Sequence, residues 1–350
     1  MTAVATGRTV GGRDVVALLS GGHAMHHITD LKLVSKDIAK GLLALKTRIE
    51  AARIPSSRLD ESFTMATWNI REFGKKARSQ AAIHYIAEIL GQFDLVGVVE
   101  LRDDLRDLRR VLEVLGPYWR AVYSDAVMDD GGNRERVAYI YDKRQIAFNG
   151  MASAAFGRRR KKDTEWMPEI NWWRPPYIAS FKSGNFDFVV LTTHIRWGGS
   201  AKERLPELQA IADWVSDKRA LLAAGRRSWD EPDIFVMGDF NVPSRRSSLF
   251  KALTSTGLSI PSAMIKDEFG SNLARDKRYD QILHLPHYAE NFTNRAGVLD
   301  FYAGDHKVLF PDLTKDEFTY QMSDHLPLWI EISTDVDALQ LQEYVKGEKG

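Results

Sequence analysis

Cysteine is absent from the 350 residues of this chain, and no hydrophobic run approaches the roughly 20 residues that a membrane-spanning helix needs. The lack of cysteine excludes a disulfide scaffold, cysteine-ligated zinc, iron–sulfur clusters and a thiol nucleophile. A strong charge imbalance is also missing, since 48 Lys and Arg face 47 Asp and Glu. With 44% hydrophobic residues, the composition excludes a disordered chain and predicts a folded protein with no membrane partner.

The N-terminus lacks the pattern of a secretion signal. It has no compact basic region followed by a clean apolar core, so we expect no signal peptide. Together with the missing cysteines, this predicts a cytoplasmic protein.

The small positive excess lies near the N-terminus. Residues 1–60 hold nine Lys and Arg against five Asp and Glu (+4), whereas residues 61–350 hold 39 against 42 (−3). A broad basic surface for nucleic acid is therefore not predicted. The one dense basic run is Arg158–Lys162, which fits either a solvated loop tip or a loop that contacts phosphate.

An amphipathic helix is predicted between Asp30 and Arg53, because apolar residues recur there every three or four positions. Its apolar face would either dock on the body of the same chain or pair with another copy or another protein. Three histidines precede this helix without neighbouring carboxylates, which favours a surface loop over a metal site: His23, His26 and His27.

Beyond residue 60, short β-rich runs alternate with helical stretches. The predicted strands are Phe63–Ile70, Leu95–Glu100, Val137–Tyr141, Ile178–Phe181, Phe186–Thr193, Ile234–Met237, Gln281–Leu285 and Leu326–Ile332. The main predicted helices are Ala77–Leu90, Leu105–Leu115 and Lys202–Asp217. Several of the strands are apolar on both faces, as strands buried between layers must be. We therefore predict an α/β fold, a four-layer α/β sandwich in which two packed mixed β-sheets are flanked by helices.

A change in sequence pattern near residue 60 separates an N-terminal extension (1–60) from a main domain (61–335). After the last predicted strand we expect a C-terminal tail (336–350).

Polar side chains follow or precede many of the predicted strands. These residues are Asn69, Glu100, His194, Asp239, Asn241, Asp280, Asp324 and His325. Strand ends that share one edge of a sheet converge in space, so we expect these side chains to form one site.

The residue types in this set fit phosphoester hydrolysis. Carboxylate and amide oxygens are ligands that Mg²⁺ and Mn²⁺ prefer, and two histidines supply proton transfer near neutral pH. No H-E-x-x-H indicates a zinc protease, and no G-x-S-x-G indicates an esterase.

At this point the motifs resemble the endonuclease/exonuclease/phosphatase superfamily, and within it the deoxyribonuclease I type. The resemblance covers residues 63 to 332. It rests on the segments WNIREFG (68–74), VVELRD (98–103), ERVAYIY (135–141), RPPYIASF (174–181), TTHIRWG (192–198), GDFNV (238–242), YDQI (279–282) and SDHLPLW (323–329).

The resemblance implies a divalent metal and a metal-activated water. Glu100 would be the principal ligand of Mg²⁺ (or Mn²⁺), assisted by Asn69 and Asp324. Asp239 would orient or deprotonate the attacking water, and Asn241 would hold a phosphate oxygen.

It also implies two acid/base histidines, each with a carboxylate partner. Glu135 would orient His194, and Asp280 would orient His325. A carboxylate beside an imidazole fixes its tautomer and stabilises the imidazolium.

Three arginines occupy positions where the deoxyribonuclease type uses arginine against DNA phosphates: Arg71, Arg102 and Arg174. Ordinary surface ion pairs are the alternative explanation for them. The chain also departs from the type, because Asn133 stands where an aromatic residue is expected two positions before Glu135.

The sequence thus predicts a cytoplasmic Mg²⁺-dependent phosphodiesterase, with a DNA endonuclease favoured. The alternative within the same fold is a hydrolase of RNA or of a smaller phosphoester, such as a nucleotide, a phosphoinositide or a sphingolipid head group. An alternative from another class is a catalytically idle binding module that uses the helix at 30–53 for recruitment.

Overall fold

The computed structural model describes residues 35–127, 133–170, 172–198, 200–224, 233–266, 269–285 and 287–346. Residues 30–34 of the predicted N-terminal helix and the three histidines before it lie outside these ranges. No helix within the described ranges is both long and apolar enough to cross a membrane.

Thirteen strands are present in the described part of the chain. They are β1 (Ser62–Phe73), β2 (Leu95–Leu101), β3 (Trp119–Tyr123), β4 (Arg136–Asp142), β5 (Ala147–Ala154), β6 (Arg159–Lys162), β7 (Glu165–Pro168), β8 (Tyr177–Ser183), β9 (Phe186–His194), β10 (Asp233–Asp239), β11 (Asp280–Leu285), β12 (Phe292–Val298) and β13 (Leu328–Ser333).

Eight α-helices accompany them in the same ranges. They are α1 (Lys36–Ala51), α2 (Gln80–Leu90), α3 (Arg106–Leu115), α4 (Ala201–Ala223), α5 (Ser248–Leu253), α6 (Ser262–Lys266), α7 (Lys315–Gln321) and α8 (Asp337–Lys346).

The strands form two large mixed sheets and a separate hairpin. The first sheet has the order β12-β13-β1-β2-β4-β3, and the second has the order β11-β10-β9-β8-β5. Among the described strands, β6 pairs with β7 alone. The β1–β2 and β9–β10 pairs are parallel, and the other pairs are antiparallel.

The two sheets pack face to face with helices outside both. On β9, Phe188 stacks on Phe63 of the first sheet with ring centroids 5.1 Å apart. Leu191 of the same strand joins the second cluster with Leu208 and Ile211 of α4. Buried residues of α2 and α3 join the core of the first sheet. The predicted four-layer α/β sandwich is confirmed.

Helix α1 docks on the body of its own chain, one of the two alternatives left open by the sequence. Leu45 is fully buried, and the space above Gly41 is filled by the Tyr85 ring of α2. Arg48 donates a hydrogen bond of 2.6 Å to the carbonyl oxygen of Phe301. The division at residue 60 stays a prediction, but α1 contributes to the packed core.

Two local expectations were wrong. The basic run Arg158–Lys162 is not a loop tip, because Arg159–Lys162 forms β6 and pairs with β7 as an exposed hairpin. The first strand does not end at Ile70 but continues to Phe73, since a register shift after Asn69 lets it resume pairing with β2.

Candidate active site

Three polar residues of the second sheet meet at one edge because of strand register. His194 is the last residue of β9 and lies opposite Asp239, the last residue of the parallel strand β10. Asp239 also lies opposite Asp280, the first residue of the antiparallel strand β11. The register therefore brings two carboxylates and one imidazole together.

Irregular backbone in the first sheet places the next two residues. The β1–β2 register shifts after Asn69, and the β2–β4 register shifts between Val98 and Leu101. Glu100 lies between Val98 and Leu101, and its left-handed φ of 62° is unfavourable for a residue with a side chain. Bulges of this kind re-aim side chains, and here Asn69 Nδ2 donates to Glu100 Oε1 over 3.0 Å.

The first imidazole–carboxylate pair joins the two sheets. His194 Nδ1 lies 2.7 Å from Glu135 Oε2, and Glu135 immediately precedes β4 of the first sheet. Arg174 binds the same carboxylate at both oxygens, with two contacts of 2.9 Å. Burial alone would raise the pKa of Glu135, but the hydrogen bond and charge of His194, with Arg174 and Arg102, lower it to about 2.

The second pair also joins the sheets, but here the carboxylate belongs to the second sheet and the histidine precedes β13 of the first sheet. His325 Nδ1 lies 2.7 Å from Asp280 Oδ2. Ser323 Oγ accepts the His325 backbone N–H over 3.0 Å and donates to the Asn69 carbonyl over 2.6 Å. Burial opposes protonation of His325, but the charges of Asp280 and Asp239 hold its pKa well above the ordinary value.

Asp239 lies between the two pairs. Its Oδ2 is 3.7 Å from Nε2 of His194 and 3.7 Å from Nε2 of His325, and it accepts Asn69 Nδ2 over 3.1 Å. Burial raises the pKa of the Asp239 carboxyl. Burial opposes protonation of His194, but Glu135, Asp239 and Glu100 raise its pKa. The result is a buried carboxylate faced by two imidazole nitrogens.

Asn241 stabilises this corner through local hydrogen bonds. Its backbone N–H donates to Asp239 Oδ1 over 2.9 Å, and its Nδ2 donates to the Ile195 carbonyl over 2.6 Å. The predicted contact with a phosphate oxygen stays a prediction, since these two bonds tie Asn241 to the ends of β9 and β10.

The chemistry of the donor set fits a divalent cation. Asn69 Oδ1 is buried beside the carboxylate of Glu100, and no residue in the described ranges forms a hydrogen bond with it. Burial alone would raise the pKa of Glu100, but His194 and the bonds from Asn69 and the Glu72 N–H lower it, which favours the ionised ligand form. Hard oxygen donors of this type suit Mg²⁺ or Mn²⁺.

A second group could also hold a metal ion. Ligand atoms of Asp239, Asp280 and His325 lie within 4.8 Å of one another. Asp280 Oδ1 is buried and has no hydrogen-bond partner in the part of the chain that the structure describes. Asp324, which the resemblance adds to the Glu100 set, directly precedes His325, and its charge acts on the guanidinium of Arg71.

The three predicted phosphate-binding arginines have different surroundings. Arg102 is enclosed, with 5% of its side chain exposed, and bonds to Glu72 and to the backbone carbonyl of Asn133. Arg174 is held on the Glu135 carboxylate. Arg71 bonds to Asp316 and Thr319 of α7, and its guanidinium lies 3.8 Å from a tyrosine ring centroid. All three therefore bond to carboxylates, and two of them, Arg102 and Arg174, lie against Glu135.

Sequence reasoning missed two kinds of neighbour. Ser323 and Ser271 anchor the second imidazole–carboxylate pair, Ser271 by accepting the Asp280 N–H over 3.1 Å. Exposed indoles also line the cleft of about 340 Å³ that contains Glu100 and His194: Trp173 and Trp197. Ser323 lies in the segment SDHLPLW and Trp197 in the segment TTHIRWG, so the sequence could have indicated these two residues as part of the site.

Comparison with known proteins agrees with this architecture. The model of the endonuclease/exonuclease/phosphatase family matches residues 66–301. Deoxyribonuclease-1 of Equus caballus is 25% identical over 188 residues, which cover 51% of this chain and 61% of the relative. Deoxyribonuclease-1 of Homo sapiens is 26% identical over 202 residues, which cover 54% of this chain and 66% of the relative. The chain thus spans about three fifths of the length of the first of these relatives.

A solved structure shares the fold. A conserved protein of unknown function from Enterococcus faecalis V583 superposes with a TM-score of 0.51 at 16% identity, covering 77% of this chain and 98% of that one.

Proposed function

Because this chain belongs to the endonuclease/exonuclease/phosphatase family, whose members are phosphoester hydrolases, we propose that it is a divalent-metal-dependent phosphodiesterase that cleaves DNA. The observation that supports this most directly is the arrangement around Asp239. Nε2 of His194 and Nε2 of His325 each lie 3.7 Å from its Oδ2, and each histidine has its own carboxylate partner.

In the proposed reaction, water attacks the phosphorus in line with the leaving 3′ oxygen. Asp239 accepts a proton from the attacking water, and its raised pKa makes the carboxylate a better base than an exposed one. His194 and His325 are held protonated by their carboxylates: one donates a proton to the leaving 3′ oxygen, and the other donates a hydrogen bond to a phosphate oxygen and keeps its proton.

Glu100 and Asn69 would hold the metal ion, with Asp324 as the further proposed ligand. A bound Mg²⁺ or Mn²⁺ would neutralise negative charge that develops on the phosphoryl oxygens. The buried Asn69 Oδ1, which has no hydrogen-bond partner among the described residues, supports this assignment.

DNA is favoured as substrate because the curated relatives above carry the name Deoxyribonuclease-1. One observation favours a smaller phosphoester instead. Each of the three predicted phosphate-binding arginines bonds to a carboxylate of the protein, and Arg71, with 25% of its side chain exposed, is the most accessible of them.

The test is hydrolysis by the purified protein of supercoiled plasmid, RNA and an aryl phosphodiester, each with Mg²⁺, Mn²⁺ or a chelator. We expect metal-dependent nicking of the plasmid and loss of activity with the chelator. Hydrolysis of the aryl diester alone would assign a smaller substrate, and chelator-resistant activity would contradict the metal assignment.

Glu100→Gln tests the metal site directly. Removing the carboxylate charge should weaken Mg²⁺ binding in calorimetry and nearly abolish turnover. The matched control is Glu331→Gln, a buried carboxylate of β13 paired with Arg295, which should leave both measurements unchanged. Unaltered metal affinity in the Glu100 variant would contradict the assignment.

A further inference from the structure

Two exposed indoles lie beside the imidazole–carboxylate pairs of the site. Trp173 belongs to the loop before β8, and Trp197 follows His194 by three residues. Both line the cleft of about 340 Å³ that also contains Glu100 and His194. Trp173 is 50% exposed and Trp197 is 67% exposed. Large apolar rings that stay exposed inside a cleft mark a surface that binds a ligand.

An arginine lies over each of the two rings. The Arg196 guanidinium is 5.1 Å from the Trp173 ring centroid, and the Arg204 guanidinium is 5.9 Å from the Trp197 ring centroid. Arg204 also donates a hydrogen bond of 2.5 Å to the Asn241 carbonyl oxygen, just beyond the end of β10. Such cation–π contacts hold an exposed ring in place. Each indole is thus backed by a guanidinium and keeps half or more of its surface open.

Trp197 is also connected to the second histidine of the site. Its ring meets Tyr279 edge to face, with ring centroids 5.5 Å apart and an angle of 79° between the ring planes. The Tyr279 ring centroid lies 5.9 Å from that of His325. Two ring contacts therefore link the Trp197 indole to one of the proposed acid/base groups.

An exposed aromatic ring beside a phosphoester site suits a nucleotide whose base is unpaired. Every base has a π-face that stacks on an aromatic side chain, whatever the sequence. In a duplex, neighbouring base pairs cover both faces of each base, so an indole can stack only on a base that has left the helix. The cleft volume lies at the lower end of the range for small-molecule sites, which fits one nucleotide and not a duplex.

We propose that Trp197 stacks on an unpaired base next to the scissile phosphate, with Trp173 as a second aromatic wall of the cleft, so that the preferred substrate is single-stranded DNA. This inference rests on the proposed function and narrows its substrate class. Because stacking tolerates every base, the preference concerns strandedness and not sequence. A supercoiled plasmid would be nicked where supercoiling separates its strands.

The experiment uses two diesters that share a leaving group and a charge. Thymidine 5′-p-nitrophenyl phosphate carries one base, and methyl p-nitrophenyl phosphate carries none. With Mg²⁺ present, kcat and KM are measured on both for the unaltered protein, Trp197→Ala, Trp197→Phe and Trp173→Ala. The matched control is Trp166→Ala, because Trp166 of β7 is 64% exposed and does not line the cleft. Cleavage of a single-stranded oligonucleotide and of its duplex is measured in parallel.

Trp197→Ala should lower kcat/KM for the thymidine diester roughly 5- to 150-fold more than for the methyl diester, the range typical of one lost base–aromatic stack. The difference should appear mainly in KM, since stacking holds substrate and transition state alike. Trp197→Phe should restore most of it because a ring is kept, and Trp173→Ala should show a smaller loss of the same kind. Trp197→Ala should also reduce the ratio of single-strand to duplex cleavage, whereas Trp166→Ala should change neither comparison.

Equal losses on the two diesters would overturn the inference, because Trp197 would then support the catalytic groups and not a base. A duplex cleaved as fast as the single strand, with the same effect of Trp197→Ala on both, would overturn it while leaving the proposed nuclease intact. If the unaltered protein hydrolyses the methyl diester but neither form of DNA, the proposed function itself is wrong. That outcome is recognised before any tryptophan variant is compared.

Discussion

At the scale of single residues, the site is built from pairs in which one group fixes the state of the other. Glu135 accepts from His194, and Arg174 and Asn133 donate to the same carboxylate. The His194 ring is thus held in one orientation, with Nε2 directed at Asp239. Removing the charge of Glu135 should therefore lower activity through its effect on His194, and not through a contact with the substrate.

We therefore predict strong non-additivity between Glu135→Gln and His194→Ala. His194→Ala should lower kcat by about 10²–10⁴-fold, the range typical of a lost general acid or base. Glu135→Gln should lower it by less, and the double variant should resemble His194→Ala alone. The measurement is kcat on a common phosphodiester, and fully multiplicative effects would show that the two residues act independently.

The predicted residues of the site could be found from the sequence because polar side chains end apolar runs. Their pairing came only from the family resemblance, since periodicity does not specify which carboxylate meets which imidazole. The inward placement of Arg102 could not be predicted, because long flexible side chains take partners set by tertiary packing.

At the scale of elements, Gly238 illustrates how backbone geometry supports the site. It has a φ of 132°, and a Cβ there would lie 2.0 Å from the Thr193 carbonyl oxygen of β9. The close approach of β9 and β10 holds Asp239 against His194. A side chain at this position would separate the two strand ends.

Gly238→Ala should therefore reduce both stability and activity. Backbone strain alone accounts for about 1–3 kcal/mol, and the overlap with Thr193 adds to it. The control is Gly304→Ala, which has a φ of 79° and open space around it, so it should show backbone strain only. Urea unfolding and plasmid nicking of both variants provide the comparison, and equal effects would contradict the steric argument.

Helix α1 permits a second matched pair. Leu45 is fully buried in the core cluster, whereas Leu43, two positions earlier, is 67% exposed. Leu45→Ala should lower the free energy of unfolding by about 2–5 kcal/mol. Leu43→Ala should change it by less than about 0.5 kcal/mol. Equal small effects in denaturant unfolding would mean that α1 is dispensable for the core.

Central strands were predictable from sequence and several edge strands were not. β9 and β10 lie between layers and are apolar on both faces, and this is evident from their sequences. β5 and β12 lie at sheet edges, where exposed faces accept glycine, asparagine and arginine. β6 is exposed at all four positions, and its sequence RRKK contains no apolar residue that would predict a strand.

At the scale of the whole molecule, a buried histidine away from the site couples stability to pH. His284 of β11 packs against Phe292 with ring centroids 3.8 Å apart, and burial lowers its pKa to about 4. The unfolded chain binds this proton near pH 6.5, and the folded protein binds it only near 4. Folding stability is thus lost as the pH falls from 6.5 towards 4.

Between pH 7 and 4, the unaltered protein should lose about 3 kcal/mol more stability than His284→Leu. The measurement is urea unfolding at several pH values, and the difference between the two proteins isolates this group. Asp233 acts in the opposite direction in both proteins, because burial raises its pKa to about 6 and its protonation stabilises the folded state as pH falls. Its contribution cancels when the two proteins are compared. Parallel pH curves for the two proteins would contradict the assignment.

The contacts between the two sheets also determine when, during synthesis, a site can exist. The ribosome releases β1–β4 first, then the whole second sheet, and only afterwards β12 and β13, which complete the first sheet beside β1. His325 arrives with this last segment and must meet Asp280 across the sandwich. A chain terminated before residue 325 carries the Asp239 carboxylate but just one of its two facing imidazoles. Incomplete translation products are therefore expected to lack the proposed phosphodiesterase activity.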